Sequence, residues 1–361
     1  MKVSEICKYA PKSNIKARDA CDGGKYVFFT SGADESKRYN AYQHEGEGII
    51  MGTGGNATLH YYDGKYAVST DCIVLLPNEQ IRCKYLYYFF LGNMRVLERG
   101  FKGAGLKHTN KGYIGDIDIG DIPSFERQEK IIGIFDTLQS IIDLRKSEIE
   151  RLDNLIKARF VEMFGSPVSN PMSWEKRTLK EVCIKLNDGS HFSPESFETG
   201  DYKYVTAKNI KFSGFDFSNI TYVPEAVHRP IFDRCNPEFE DVLYIKDGAT
   251  TGVAIVNTLD EEFTLLSSVA LLKQDRSIMN GYFLATLLNN KDMYLNIRNN
   301  MGGAAITRLT IAKLNAIEII VPPIELQNQF AAFVAEVDKS KLMFQKLHQK
   351  LNILQQKAGD I

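Results

Sequence analysis

The chain has one tryptophan, Trp174, and no excess of either charge: 44 Lys and Arg face 45 Asp and Glu, a formal net charge of −1 over 361 residues. Near-neutrality removes any global pull towards polyanions, so contact with nucleic acid has to come from local patches. The six cysteines, Cys7, Cys21, Cys72, Cys83, Cys183 and Cys235, form no Cys-x-x-Cys pair and no metal-like spacing. They read as reduced thiols of a cytosolic protein rather than a disulfide framework or zinc module. His44, His60, His108, His191, His228 and His348 make no His-x-x-x-His or Cys/His cluster, so neither a structural metal nor a cofactor is expected. No stretch approaches a membrane span, and residues 1–6 carry no apolar leader core. The expectation is a soluble, cytoplasmic protein with two or three domains.

Catalytic signatures are also missing. An adenine methyltransferase needs a Gly-rich cofactor loop after a strand and an Asp/Asn/Ser-Pro-Pro-Tyr/Phe motif. Asn236-Pro237-Glu238-Phe239 lacks the second proline, and Val321-Pro322-Pro323-Ile324 sits at a helix start. Gly52-x-Gly54-Gly55 lacks the Lys-Ser/Thr ending of a phosphate loop and reads as a tight turn. Glu238, Glu240, Asp241 and Lys246 could be arranged as a nuclease site, but acids scattered around one strand read as turn and surface residues.

What the chain does contain, it contains twice. Ile122-Pro123-Ser124-Phe125-Glu126-Arg127-Gln128-Glu129 returns as Val321-Pro322-Pro323-Ile324-Glu325-Leu326-Gln327-Asn328. Proline just ahead of an apolar-periodic run is a helix start signal, and Glu126 and Glu325 place negative charge at the positive helix end. In the first copy apolar residues recur at Ile131, Leu138 and Leu152, and at Phe135, Ile142, Ile149, Ile156 and Met163, interrupted by Arg145 and Arg159. In the second the stripe is Phe330, Val337, Phe344 and Leu351, flanked by Phe333, Leu347 and Leu354. Gly165-Ser166-Pro167 ends the first helix. Helices of about 35–40 residues span about 50–60 Å, too long for one small domain to cover. Their cheapest partner is each other, as an antiparallel coiled coil; separate helical domains or a second chain are the alternatives.

The repeat extends beyond the helices. Val3–Cys7 matches Leu179–Cys183, Tyr26–Thr30 matches Tyr202–Thr206, and the run from Glu47 to Gly54 matches that from Glu240 to Gly248. Thr70–Leu75 matches Ser267–Leu272, and Gly103-Ala104-Gly105-Leu106 matches Gly302-Gly303-Ala304-Ala305. Short strands rich in Val, Ile, Tyr and Phe, broken at Asp63-Gly64, Asp188-Gly189 and Asp247-Gly248, predict an α+β domain around a mainly antiparallel sheet in each half.

With the doubled helix entrances, the Glu240–Gly248 turn and the Trp174-Glu175 domain opening, the chain resembles the specificity (S) subunit of type I restriction–modification systems over nearly its whole length. The resemblance implies an α+β fold with an internal pseudo-repeat: two target recognition domains separated by two long antiparallel coiled-coil helices. The implied divisions are 1–122 for the first domain, 123–165 for the central helix, 166–173 for a linker, 174–321 for the second domain and 322–361 for the C-terminal helix. It also implies a non-catalytic subunit. Each domain reads one half of a bipartite site in double-stranded DNA, and the helices set the spacer and dock two methyltransferase (modification) subunits. Two restriction/translocase subunits complete the assembly where they are present. Three features depart from the pattern: the first domain has no counterpart of Trp174-Glu175, Asn328 stands where Glu129 does, and Gly52–Gly55 is richer in glycine than the region of Gly248.

Candidate DNA contacts are loops mixing cations, amides and aromatics, which can meet phosphates and read base edges. In the first half these are Lys37, Arg38 and Tyr39, then Lys102, Lys107, His108, Asn110 and Lys111. In the second they are Lys208, Asn209, Lys246, Thr250, Thr251 and Arg308, with Thr307 beside the last. The reading from a different class is a structural protein whose helices mediate assembly and whose globular domains bind protein or glycan. Neutral net charge suits it; paired basic-amide loops suit DNA.

Overall fold

The protein, described here by a computed structural model, is defined over residues 1–299 and 308–358, with side chains in the last helix defined up to Leu342. Gly302, Gly303, Ala304, Ala305 and Thr307 lie outside the described residues, as do the side chains of Phe344, Leu347, Leu351 and Leu354. The chain divides into two compact units. One is Met1–Ser147, to which the helical residues from Phe344 are assigned; the other is Glu148–Met343.

The first unit is built on a six-stranded sheet. In spatial order its strands are Cys7–Tyr9, Cys72–Pro77, His44–Gly52, Leu59–Val68, Tyr26–Phe29 and Arg38–Tyr39. All neighbours are antiparallel except Tyr26–Phe29 against Leu59–Val68, where Val27 lies opposite Tyr66 in parallel register. Ile49, Met51, Ile73 and Leu75 alternate onto one face, where they pack with Val3, Ile6, Leu86, Phe90 and Ile114. The expected break at Asp63-Gly64 is absent. Both residues lie inside the ten-residue strand Leu59–Val68, with Gly64 opposite Gly46 and Asp63 opposite Glu47. A continuous ladder to the neighbouring strand overrides the local turn preference of Asp-Gly.

The second unit repeats this order. Cys183–Asp188, Val269–Gln274, Val242–Ile245 and Ala254–Val256 form one sheet; Phe263–Leu265, Tyr202–Val205 and Thr221–Val223 form another. Read end to end, the seven strands follow the six of the first unit, with the long strand Leu59–Val68 replaced by the two pieces Ala254–Val256 and Phe263–Leu265. The parallel strand pairing recurs in the same place, Tyr204 opposite Thr264. A four-residue helix leads directly into the corresponding edge strand in both units, Val3–Ile6 before Cys7–Tyr9 and Leu179–Val182 before Cys183–Asp188. The apolar helices Cys83–Gly92 and Gly281–Asn289 also correspond.

The long helices are Phe125–Phe164 and Ile324–Ala358. The first stops at Gly165, which adopts φ +75° and lies under Pro171, a left-handed position that suits glycine at a helix end. Of the predicted first stripe, Phe135 and Ile142 are buried and none of the others is exposed, whereas Ile134, Leu144, Leu155 and Val161 lie off it and are exposed. In the first unit Phe135 stacks on Tyr88 at 4.8 Å between ring centroids, and Asp136 accepts from Tyr88 Oη and Lys84 Nζ. In the second unit Phe160 and Phe164 close an aromatic cluster with Phe283 and Phe330, with centroids 4.7–5.7 Å apart. Farther along, Lys341 Nζ meets Asp153 Oδ1 at 2.9 Å.

The doubled Glu-x-Gln motif has a structural cause. Gln128 and Gln327 are fully buried. Gln128 donates to the Pro123 carbonyl (2.9 Å) and accepts from the Arg82 amide (2.8 Å). Gln327 donates to the carbonyls of Pro322 (2.7 Å) and Ile278 (3.0 Å) and accepts from the Asn280 amide (2.9 Å). Each glutamine thus ties the start of a long helix to the residue that opens the domain's apolar helix. The substitution of Asn328 for Glu129 is matched at that same residue: Glu129 pairs with Arg82 at 2.7 Å, and Asn328 accepts from Asn280 at 2.9 Å.

Candidate nucleic-acid interface

In both units the loops at one end of the sheet converge, and sheet register shows which positions correspond. In the second unit Lys246 N donates to Ser268 O, Leu309 N donates to Lys246 O, and Asp247 bridges Arg308. In the first, Thr53 N donates to Asp71 O, Thr109 N donates to Thr53 O, and Gly54 bridges His108. Arg308 therefore occupies the place of His108, Asp247 that of Gly54 and Lys246 that of Thr53. The extra glycine of Gly52–Gly55 lies at this junction, where a Cβ on Gly54 would stand 3.2 Å from the His108 ring.

In the first unit, residues 102–108 form a hairpin in which Lys102 and His108 exchange backbone hydrogen bonds at 3.0 Å, and Gly55 N donates to Lys107 O. This joins the hairpin to the 53–58 loop. The 31–36 segment joins the same rim, because Thr58 Oγ1 donates to Ser31 O and the buried His60 ring lies 2.6 Å from Glu35 Oε1. Lys102, Lys107, His108 and Lys111 are exposed, and Lys111 Nζ lies over the Tyr9 ring. Lys37 Nζ reaches Thr30 Oγ1 at 3.2 Å. Arg38 and Tyr39 form an edge strand rather than a loop. The Arg38 guanidinium is occupied by the carbonyls of Glu35 and Lys37, and Tyr39 packs on Phe28. Asn110 caps the helix Lys111–Gly115 by accepting from Tyr113 N.

In the second unit the structure separates the candidates sharply. Lys208, Thr250 and Arg308 are exposed. Asn209 is buried; its amide accepts from Thr206 and donates to Asp216 O, closing its own turn. Thr251 is fully buried, with its hydroxyl donating to Gly248 O. Lys246 is only 2% exposed, and its ammonium lies 2.8 Å from Asp247 Oδ2 and 3.3 Å from Asp188 Oδ2. Asn209, Lys246 and Thr251 are therefore buried within the rim, and Lys246 keeps its charge there beside two carboxylates. Arg308 Nε sits 3.3 Å from Asp247 Oδ1. The result is a row of alternating charge, Asp188, Lys246, Asp247, Arg308, running from the interior to the surface. Arg298 clamps the adjoining loop by donating to Thr251 O (2.7 Å) while lying over Tyr294.

Asp188, Asp247, Arg298 and Tyr294 were not singled out from the sequence. Asp188 and Asp247 each precede a glycine and carry only a turn signal; the pairing of Asp188 with Lys246 and of Asp247 with Arg308 joins residues remote in the chain. Burial pushes the thiols of Cys7, Cys83, Cys183 and Cys235 up to about 12 and that of Cys72 to about 11, so these stay protonated at neutral pH. Among the described residues no group of three or more His, Cys, Asp or Glu is arranged to hold a metal ion, and no helix is long and apolar enough to cross a membrane.

A doubled α+β unit with long helices and a polar rim on each sheet defines a class of proteins built by duplication of one module. The chain belongs to the family of type I restriction modification DNA specificity domains, which it matches twice, over residues 1–154 and 171–354. It is similar to the type I restriction enzyme EcoDI specificity subunit of Escherichia coli, 24% identical over 157 residues. That match spans 44% of this chain and 34% of the length of that curated relative. In fold it is similar to the S subunit of a type I restriction–modification system from M. genitalium, with a TM-score of 0.60 and 15% identity over 99% of this chain and 94% of that one. A second solved chain, from work on complex assembly and conformational transition of the type I R-M system, gives a TM-score of 0.51 and 16% identity, covering 100% of this chain and 96% of that one.

Proposed function

We propose that this chain is the DNA-sequence-recognition subunit of a type I restriction–modification complex and has no catalytic activity alone. Each globular domain, 1–122 and 174–321, reads one half of a bipartite, asymmetric site in double-stranded DNA. The helix 123–165, followed by the linker 166–173, and the helix 322–361 set the spacer and dock two methyltransferase subunits; restriction subunits join where the system has them. The observation that carries this reading is the repeated sheet order ending in two corresponding rims, one bearing Lys102, Lys107, His108 and Lys111, the other Lys208, Thr250 and Arg308. Lysine and arginine there meet phosphates and fix register, and side chains beside them reach base edges. An antiparallel course for the helices is supported inside the second unit. Phe160 meets Phe330, and Asp153 meets Lys341, so the two chains advance in opposite senses.

The test is duplex binding by the complex assembled with its methyltransferase subunits. Affinity for one bipartite sequence should fall steeply with salt, the logarithmic slope giving about 0.9 per phosphate contacted. The purified chain with S-adenosylmethionine and magnesium should neither methylate nor cut. Binding indifferent to salt and sequence would leave the domains as protein- or glycan-binding modules, and turnover by the chain alone would make it an enzyme.

A further inference from the structure

The pair Asp247–Arg308 poses a problem that its surroundings resolve. A carboxylate on a surface that meets phosphates opposes binding, yet Asp247 lies on the rim of the second unit. It is not there to neutralise Lys246 alone, because Asp188 already lies 3.3 Å from the Lys246 ammonium. The two oxygens of Asp247 are divided: Oδ2 faces Lys246 Nζ at 2.8 Å and Oδ1 faces Arg308 Nε at 3.3 Å. The Asp247 side chain is 20% exposed, whereas that of Arg308 is 62% exposed. The backbones of the two residues are joined by a bridge, and Leu309 N donates to Lys246 O at 2.8 Å, so the base of the Arg308 side chain is held as well. At the corresponding place in the first unit stand Gly54 and His108, with no carboxylate.

An arginine approached by a carboxylate at Nε keeps a planar pair of Nη groups on another edge. That edge presents two parallel donors, which match two acceptors side by side. In the major groove the base edge with that pattern is guanine, through O6 and N7; adenine places an amino donor where O6 would be. Ordering a long side chain before binding also removes part of the entropy that a mobile arginine loses on docking. We propose that Arg308 reads a guanine in the half-site of the second domain and that Asp247, anchored by the buried Lys246, is the positioning residue that presents it. The first domain, with His108 at that place, reads its half-site by different chemistry. This rests on the DNA-recognition reading above.

The test uses the complex assembled with its methyltransferase subunits and a panel of duplexes in which each base pair of the second half-site is replaced in turn. The wild-type complex comes first: if it shows no sequence preference, the DNA-recognition reading fails and the assignment of Arg308 is not what failed. Given a preference, Arg308→Ala should weaken cognate binding about 10- to 100-fold and erase discrimination at one G·C pair while sparing the others. Arg308→Lys should keep the salt slope but not recover that discrimination, because an ammonium has no planar fork. Asp247→Asn keeps the shape and leaves Lys246 paired with Asp188. It should lower discrimination at the same base pair while raising affinity for unrelated duplex, as loss of a negative charge requires. Three results would overturn the proposal. In the first, Arg308→Ala weakens all sequences equally and lowers the salt slope by about one, which marks a phosphate contact. In the second, Arg308→Lys behaves as wild type. In the third, Asp247→Asn strengthens cognate and unrelated duplex alike. Thermal melting of each variant, expected within a few degrees of wild type, keeps folding separate from recognition.

Discussion

At the scale of single residues, position along the chain and role in the molecule come apart. Gln128 and Gln327 belong to the doubled helix-entrance motif, and both are buried and bonded to backbone groups. Their function is mechanical: each pins a long helix to the apolar helix of its domain. Gln327→Leu should destabilise the second unit by about 2–4 kcal/mol, because it removes the partner of the Asn280 amide and of two carbonyls at a buried side chain. Urea denaturation checks this, and an unchanged midpoint would make the glutamine dispensable to the fold. The DNA sequence preferred by a variant that still assembles should not change, since the residue lies at the helix entrance and not on the rim.

At the scale of elements, the long helices are divided in their allegiance. The first half of Phe125–Phe164 packs through Phe135 and Asp136 onto the helix Cys83–Gly92. Its second half packs through Phe160 and Phe164 onto Phe283 and Phe330. The compact units therefore do not stop at the sequence boundary near residue 122, because an apolar stripe takes whatever core it reaches. If the helices act as a ruler, removing one heptad from each, Glu148–Asn154 and the facing turns around Lys341, preserves the 3.5-residue stripe and shortens the rods by about 10 Å. The half-sites should stay the same while the unread spacer shrinks by up to about three base pairs. The methylated motif of cells carrying the variant is the readout, and an unchanged spacer in an active variant would mean the helices do not set the distance.

At the scale of the whole molecule, the doubled sheet order predicts modular specificity. Exchanging residues 1–122 for the first domain of another family member should change one half of the methylated motif and leave the other alone. Methylome sequencing decides it: a change in both halves, or in neither, would mean that the domains do not read independently. The differing chemistry at corresponding places, Gly54 with His108 against Asp247 with Arg308, is the structural basis for expecting unlike half-sites.

The sequence by itself determined the long helices, the α+β character and the duplication. Those rest on local signals: an apolar period, a proline at each entrance, Gly165 at one exit, and motifs recurring in fixed order. It also singled out the segments around Lys102–Lys111 and Lys246–Thr251, which lie on the two rims. Only the tertiary structure decided which side chains on those rims are available. Lys246, Thr251 and Asn209 carry the same local signal as Lys208, Thr250 and Arg308, and neighbours in the chain cannot tell them apart. What separates them is burial: Lys246 is enclosed beside Asp188, Asn209 is buried against Asp216, and Thr251 is buried with its hydroxyl turned back onto its own loop at Gly248. A buried lysine needs a carboxylate brought from a strand 58 positions earlier in the chain. The same holds for Asp63-Gly64, a turn by local preference and a strand by pairing. Burial and pairing are properties of the folded surface, so they emerge only when distant segments meet.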